Sequence, residues 1–288
     1  MKKVFFVFPL LATMFLVSCD SEPQWESLFN GKDFTGWETY IGVPHPSVDV
    51  PGMERDEEGR YTQPVGVNND PLNIFTVATV DGAPALHVSG QIYGSFSTLK
   101  EYGNYHLRLE IKWGELKWAP REDQRRNSGL LYHGVGEFGK GLNVWKISHE
   151  CQVMENDFGD SYRMGDTYCD ITASRASERD RYTYDPTAPV VNFGPQSAGM
   201  TPICAKNPLN EKPLGEWNTM ELICFEGTSI HIVNGKVNMV NTNSHLVVDG
   251  KQVPLTKGVI QLQSEGAEVF FRNIEIRPIT KIPAEYLK

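Results

Sequence analysis

The sequence has little that would carry it into a membrane or onto nucleic acid. Beyond residues 4–17 no stretch approaches the run of about 18 apolar residues that spans a bilayer. No basic tract stands out beyond Arg125-Arg126, and 27 Lys and Arg against 36 Asp and Glu leave a net charge of -9. The electrostatic footprint of a nucleic-acid partner is therefore missing. Cysteine is scarce, at five residues, and no CxxC pair occurs, which argues against structural zinc. No segment shows a long helical period with caps, and there is neither an internal repeat nor a low-complexity tract.

What is present starts at the N-terminus. Lys2 and Lys3 precede an apolar run from Val4 to Val17, interrupted only by Pro9 and Thr13, which reads as a secretion signal. It closes on Leu16-Val17-Ser18-Cys19, which resembles a bacterial lipobox. That resemblance implies cleavage before Cys19 and lipidation of Cys19. Residues 1–18 are then the signal peptide, 19–26 a polar tether, and 27–280 a single domain. The expected location is the bacterial cell envelope, periplasmic or surface-facing, with the lipid as the only membrane link. An ordinary secretory signal with an incidental Cys is the alternative. Cys151, Cys169, Cys204 and Cys224 remain. An even count in an exported chain permits disulfides, whereas the apolar runs around Cys151 and Cys224 equally suit buried thiols.

The body of the chain reads as strands and turns. Leu107, Leu109, Ile111 and Trp113 alternate with His106, Arg108, Glu110 and Lys112, a period of two with one apolar face. Ile230 and Ile232 run into Asn234-Gly235, a strong hairpin signal because both turn residues take positive φ. Val259–Gln263 and Val269–Arg277 form a further pair around Ser264-Glu265-Gly266-Ala267. Short strands punctuated by Gly, Asn and Pro indicate a β-sandwich. Residues 44–73 and 157–214 break the rhythm. The second carries little strand pattern but many aromatics, and is expected to be an ordered long loop insertion that covers or rims one sheet face.

Three groups of motifs resemble the 3-keto-disaccharide hydrolase family. They are Leu28-Phe29-Asn30-Gly31-Lys32-Asp33-Phe34-Thr35-Gly36-Trp37; then the stretch from Thr98 to Glu110 with Asn127-Ser128-Gly129-Leu130-Leu131-Tyr132-His133 and Glu150-Cys151-Gln152; then Gly215-Glu216-Trp217-Asn218-Thr219 with Gly258–Gln263 and Phe271-Arg272-Asn273-Ile274. The resemblance covers nearly the whole chain after the signal. It implies an all-β, concanavalin-A-like jelly-roll sandwich acting on glycosides.

The strand around residues 146–155 puts Lys146, Ser148, Glu150 and Gln152 on one face and Ile147, His149, Cys151 and Val153 on the other. Its polar face either meets water or lines a sugar groove, and the resemblance favours the groove. On the neighbouring strand Asn127, Gly129, Leu131 and His133 share a face. His133 is either a general base or a structural histidine. Arg108 and Glu110 either line the same groove or form a solvent-facing charge ladder. Trp113 belongs in the core, and Trp145 is a candidate platform for a pyranose ring. Gly129 and Gly134 either permit close approach of a ligand or mark bulges.

The family resemblance also implies a mechanism. In a 3-keto sugar the ketone acidifies the proton on C2; a base removes it, the enolate expels the group at C1, and water adds to the enone. This asks for a base near C2 and an electrophile at the C3 oxygen. Glu150 or His133 is the candidate base or metal ligand, with Gln152 orienting substrate. Lys100 and Arg163 are candidate oxyanion partners, and Asn127 and Trp145 candidate substrate contacts. A divalent metal is the other possible electrophile, with Glu150, His133 and Asp157 as candidate ligands. A separate sugar 3-dehydrogenase would supply the ketone. A lectin-like module and an ordinary glycosidase are the competing readings; a lectin needs no positioned base.

Overall fold

The computed structural model describes residues 23–142 and 144–286; the signal peptide and Cys19 lie outside the described residues. Two sheets pack face to face, as an all-β, concanavalin-A-like jelly roll. One is eight-stranded, in the order Ile203–Cys204, Ser161–Met164, Ile147–Met154, Asn127–Val135, Val259–Ser264, Gly94–Thr98, Trp37–Ile41, Gly66–Val67. The other is twelve-stranded and is built around Asn218–Phe225, Tyr105–Lys117 and Ala267–Pro278. Alternation decides which side chains enter the core. Phe96, Leu130, Tyr132, Cys151, Val153, Ile260 and Leu262 from the first sheet meet Leu107, Leu109, Ile111, Trp113, Met220, Leu222, Val269 and Phe271 from the second. At roughly 25 cal/mol per Å² of apolar surface, such a layer dominates the stability of the fold.

The expected hairpin at Asn234-Gly235 is present: Val233 pairs with Lys236, and the two turn residues have φ of 48° and 75°. Residues 259–277 depart from the expected pairing. Val259–Ser264 belongs to the eight-stranded sheet and Ala267–Pro278 to the twelve-stranded one. The reason is burial: Ile260 and Leu262 face Val269 and Phe271 across the core, which two strands of one hairpin cannot do. The short link at Glu265-Gly266 therefore crosses between sheets, with Gly266 at φ 78° and bonded to Gly90 O.

The segment expected as a long loop insertion, residues 157–214, is ordered and carries five short strands. Ser161–Met164 and Ile203–Cys204 extend the eight-stranded sheet, while Thr167–Ser174, Thr183–Tyr184 and Val190–Phe193 extend the other. Cys169, Ile171, Tyr184, Phe193 and Cys204 form its own small core with Met239. Cys151, Cys169, Cys204 and Cys224 are all free, buried thiols; burial pushes the thiols of Cys204 and Cys224 up to about 12. Residues 25 and 26, expected within the tether, are held to the domain. Glu26–Ser27 pairs with Ala267–Pro278, and Arg108 lies 4.1 Å from the Trp25 ring centroid.

Candidate active site

The outer face of the eight-stranded sheet, turned away from the core, gathers the polar residues. Because Cys151 and Val153 point inward, Glu150 and Gln152 point outward, as Gly129 and Leu131 do beside them. Gln261 and Gln263 alternate outward against Ile260 and Leu262 in the same way. Glu150 is 3% exposed, and both it and Gln263 lean over the α-carbon of Gly129, where any side chain would collide with their Oε1 atoms. Gly129 is thus the space into which a carboxyl and an amide converge.

This face concentrates unsatisfied polar atoms. Glu150 Oε1, Gln152 Oε1, Asn127 Oδ1, and both Oε1 and Nε2 of Gln263 are buried without a partner in the chain. Buried polar groups are nearly always paired, so a cluster of orphans marks a place where a ligand or ordered water completes them. Gln261 provides the contrast: its amide accepts from Lys146 N at 3.2 Å and donates to Ser95 Oγ at 2.6 Å, so both its oxygen and its nitrogen have partners within the chain.

A second carboxyl stands at the end of the same strand. Glu265 faces Arg121 Nη1 at 3.5 Å and hydrogen-bonds the Asn127 side chain. Burial, opposed by Arg121 and Asn127, pushes its pKa up to about 7. Burial and then the neighbouring Glu265 charge hold Glu150 well above the usual carboxylate range, which favours its protonated form. The two carboxyls thus share one face and differ in their charged neighbours, Glu265 having Arg121 beside it and Glu150 having Glu265. An aromatic and apolar cluster adjoins them on this face: Leu131, Val144, Trp145 and Met164 pack with Tyr40, Tyr93 and Tyr162.

Several sequence candidates lie elsewhere. His133 does not join Glu150. A bulge inserts one extra residue between the pairs Tyr132–His149 and Val135–Ile147, His133 takes φ 54°, and its ring turns inward against Tyr105 and Tyr132. Burial there lowers its pKa to about 4. Gly134 sits in that bulge. Arg163 also points inward, because Ser161 and Arg163 pair with Cys151 and His149; its guanidinium donates to Cys169 Sγ and Ser161 Oγ. Arg108 and Glu110 are on the other sheet's outer face, paired with Glu275 at 2.7 Å and Arg272 at 2.5 Å, and form the charge ladder. Trp145 is on the correct face but 1% exposed, stacked with Tyr93 and bonded to Gly94 O, so neither ring face is open to a sugar. Lys100 lies beyond the end of the Gly94–Thr98 strand, exposed over the Tyr102 ring at 5.1 Å, and is not among the residues gathered around Glu150.

The proposed metal ligands do not form a set. Glu150 faces out, His133 faces in, and Asp157 is held by Lys206 at 2.6 Å and Arg125 at 2.8 Å. Lys206 Nζ also lies 3.4 Å from Asp160, so an ammonium occupies the place a cation would take in that acidic cluster. Among the described residues no group of three or more His, Cys, Asp or Glu is arranged to hold a metal ion.

Glu265, Gln263 and Arg121 were missed as site residues. For Gln263 the signal was there, in the Gln-x-Gln alternation opposite Ile260 and Leu262. Glu265 and Arg121 carried none, since each sits in a turn.

The chain resembles solved structures of low identity. One chain named "putative glycosyl hydrolase" from Parabacteroides distasonis ATCC 8503 is 20% identical, with 88% of this chain and 94% of that one covered and a TM-score of 0.46. A second of that name and organism is 18% identical, with 89% and 100% covered and a TM-score of 0.43. The carbohydrate-binding module CBM66 of Bacillus subtilis is 9% identical, with 70% and 91% covered and a TM-score of 0.40. Likeness at this level carries nothing about substrate. No curated protein matches the sequence. The decisive comparison is with a family model described as 3-keto-alpha-glucoside-1,2-lyase-like, which matches residues 24–277 and so contains both carboxyls and every orphaned polar atom on this face. The chain therefore belongs to the 3-keto-alpha-glucoside-1,2-lyase-like family, and its function is a carbohydrate-acting one.

Proposed function

We propose that the protein cleaves 3-keto-glucosides by elimination across C1 and C2, with Glu265 as the base and protonated Glu150 as hydrogen-bond donor to the C3 oxygen. The observation that carries this reading is the pairing of two buried carboxyls, both raised in pKa, on one sheet face with five orphaned polar atoms. Ionised Glu265 takes the C2 proton, and the C–H electron pair forms the C2–C3 double bond of an enolate. Glu150 stabilises the oxygen on which charge develops, as a carboxylic acid held neutral in an apolar site can. The enolate collapses, the C1–O bond breaks, and the departing oxygen collects the proton from Glu265. Water then adds to C1 of the enone and C2 regains a proton. Arg121 keeps Glu265 ionisable near neutral pH, and Gln152, Gln263 and Asn127 offer donors and acceptors to the sugar hydroxyls.

The substrate class requires a separate enzyme that oxidises the C3 hydroxyl. The leader and Cys19 support export and attachment to the cell envelope through lipid.

The test is to incubate the purified protein with matched glucosides and their 3-keto forms, with and without chelator. Turnover of the 3-keto forms alone is expected. Equal turnover of the unoxidised glucosides would replace elimination by ordinary two-carboxylate hydrolysis, and loss of activity in chelator would point to an electrophile other than Glu150.

Gly129→Ala offers a second test. Its methyl must displace Glu150 and Gln263, and small misplacements of reacting groups cost about 100-fold in rate. We expect at least that loss in kcat, with the thermal midpoint lowered by only a few degrees. Retained activity would show that the convergence over Gly129 is irrelevant.

A further inference from the structure

We infer that a hollow beside Glu265 and Arg121 is a subsite for an aromatic aglycone, an inference that rests on the proposed cleavage of 3-keto-glucosides. The hollow has a volume of about 360 Å³. Val43, Ile92, Ala119, Pro120 and Val144 form most of its wall, with the ring of Tyr93. His45 and Gln91 are its polar lining.

Two links tie the hollow to the site. Pro120 is followed directly by Arg121, the partner of Glu265. Tyr93 stacks on Trp145 at 6.0 Å between centroids, its phenol hydrogen-bonds Arg121, and it feels the charge of Glu265. The reaction makes this position meaningful. C1, which bears the leaving group, is bonded to C2, whose proton goes to Glu265. The departing oxygen on C1 also collects its proton from Glu265, so the aglycone lies on the Glu265 side, which Tyr93 and Arg121 connect to the hollow, while the C3 oxygen is turned toward Glu150.

The lining selects the chemistry. A second hexose brings a ring of hydroxyls, and the two polar side chains here would leave most of them without partners once buried, which is costly. An apolar cavity of about 150 Å³ already accepts benzene, so a substituted phenyl group fits the volume and the wall. Burial of such a ring is worth at least a factor of about 10 in affinity.

The experiment compares 4-nitrophenyl 3-keto-glucoside with a 3-keto-disaccharide of the same anomeric configuration. We expect a KM about 10-fold lower or more for the aryl substrate, and competitive inhibition by free 4-nitrophenol. Val43 is 47% exposed, so Val43→Asp and Val43→Trp can be made without disturbing the core. Either should bring the ratio of the two KM values close to one, by charging the hollow or by filling it. Turnover of both substrates with equal KM in the parent protein, or a ratio that survives both variants, would overturn the subsite and leave the cleavage reading standing. Failure to turn over either 3-keto substrate would instead sink the cleavage reading, and the subsite with it.

Discussion

Glu265→Gln is expected to lower turnover of a 3-keto-glucoside by about 10²- to 10⁴-fold, the range that a positioned general base contributes. Glu150 should behave differently. Because it acts while protonated, Glu150→Gln keeps an N–H donor toward the C3 oxygen and should lose about tenfold, whereas Glu150→Ala removes the donor and should lose about 10²- to 10³-fold. A dead Glu150→Gln beside an active Glu265→Gln would reverse the two roles. The pH profile checks the same assignment. Activity should rise through an apparent pKa near 7, as Glu265 ionises, and fall at higher pH as Glu150 follows. These apparent values belong to the coupled pair.

The same shift has a consequence for stability. Glu265 is raised from 4.5 to about 7 and is only 13% exposed at its side chain. A carboxyl whose folded pKa is raised holds its proton more tightly in the native state. Stability is therefore lost as pH rises from about 4.5 to 7, by on the order of 3 kcal/mol for a shift of this size. Glu265→Gln removes that loss, so the variant should match the parent near pH 4 and exceed it near pH 8. Urea unfolding at the two pH values measures the difference; parallel curves would mean that Glu265 is not held neutral by burial.

Lys206→Ala is expected to cost about 3 kcal/mol at neutral pH, because removing one partner of a buried ion pair strands the other. Lys206 is 8% exposed at its side chain, against 3% for Asp160 and 16% for Asp157. Asp157 keeps Arg125, but the only cation left to Asp160 among the described residues is Arg181, 51% exposed and 3.5 Å away, beside the backbone N–H of residue 206 at 2.9 Å. Hydrogen bonds from Lys206 and Arg125 hold Asp157 low against its burial, while burial already holds Asp160 above its usual value. Without Lys206 both carboxyls move up and take protons more readily. The penalty should therefore be largest above the carboxylate range and shrink as acid neutralises both groups. Thermal melts of parent and variant at pH 7 and pH 3.5 test this, and an equal loss at both would assign the effect to packing of the lysine stem instead.

The outward direction of Glu150 and Gln152 was legible in the alternation of residues 146–155, since Cys151 and Val153 had to point inward. Extending that logic to His133 failed. One additional residue in a bulge reverses the direction of a side chain, and no local pattern at Tyr132-His133-Gly134 announces it. Arg163 failed for a related reason: its segment carries no strand period, and only pairing with His149 and Cys151 turns it inward. Trp145 was expected as a sugar platform, but its burial depends on Tyr93 and Gly94, which are some fifty residues away along the chain and invisible to a local reading.

Local chemistry by itself determined the sandwich, the strands of its core, the Asn-Gly hairpin and the polar face, because side-chain alternation and turn residues act over a few positions. Tertiary structure alone decided which carboxyl meets Glu150. Glu265 arrives there because the chain crosses between sheets just after Ser264, to place Ile260 and Leu262 opposite Val269 and Phe271. The raised pKa values of the two carboxyls come from that burial and, for Glu150, from the charge of Glu265. Both are properties of distance in space, which the order of residues leaves open until the sheets close on their core.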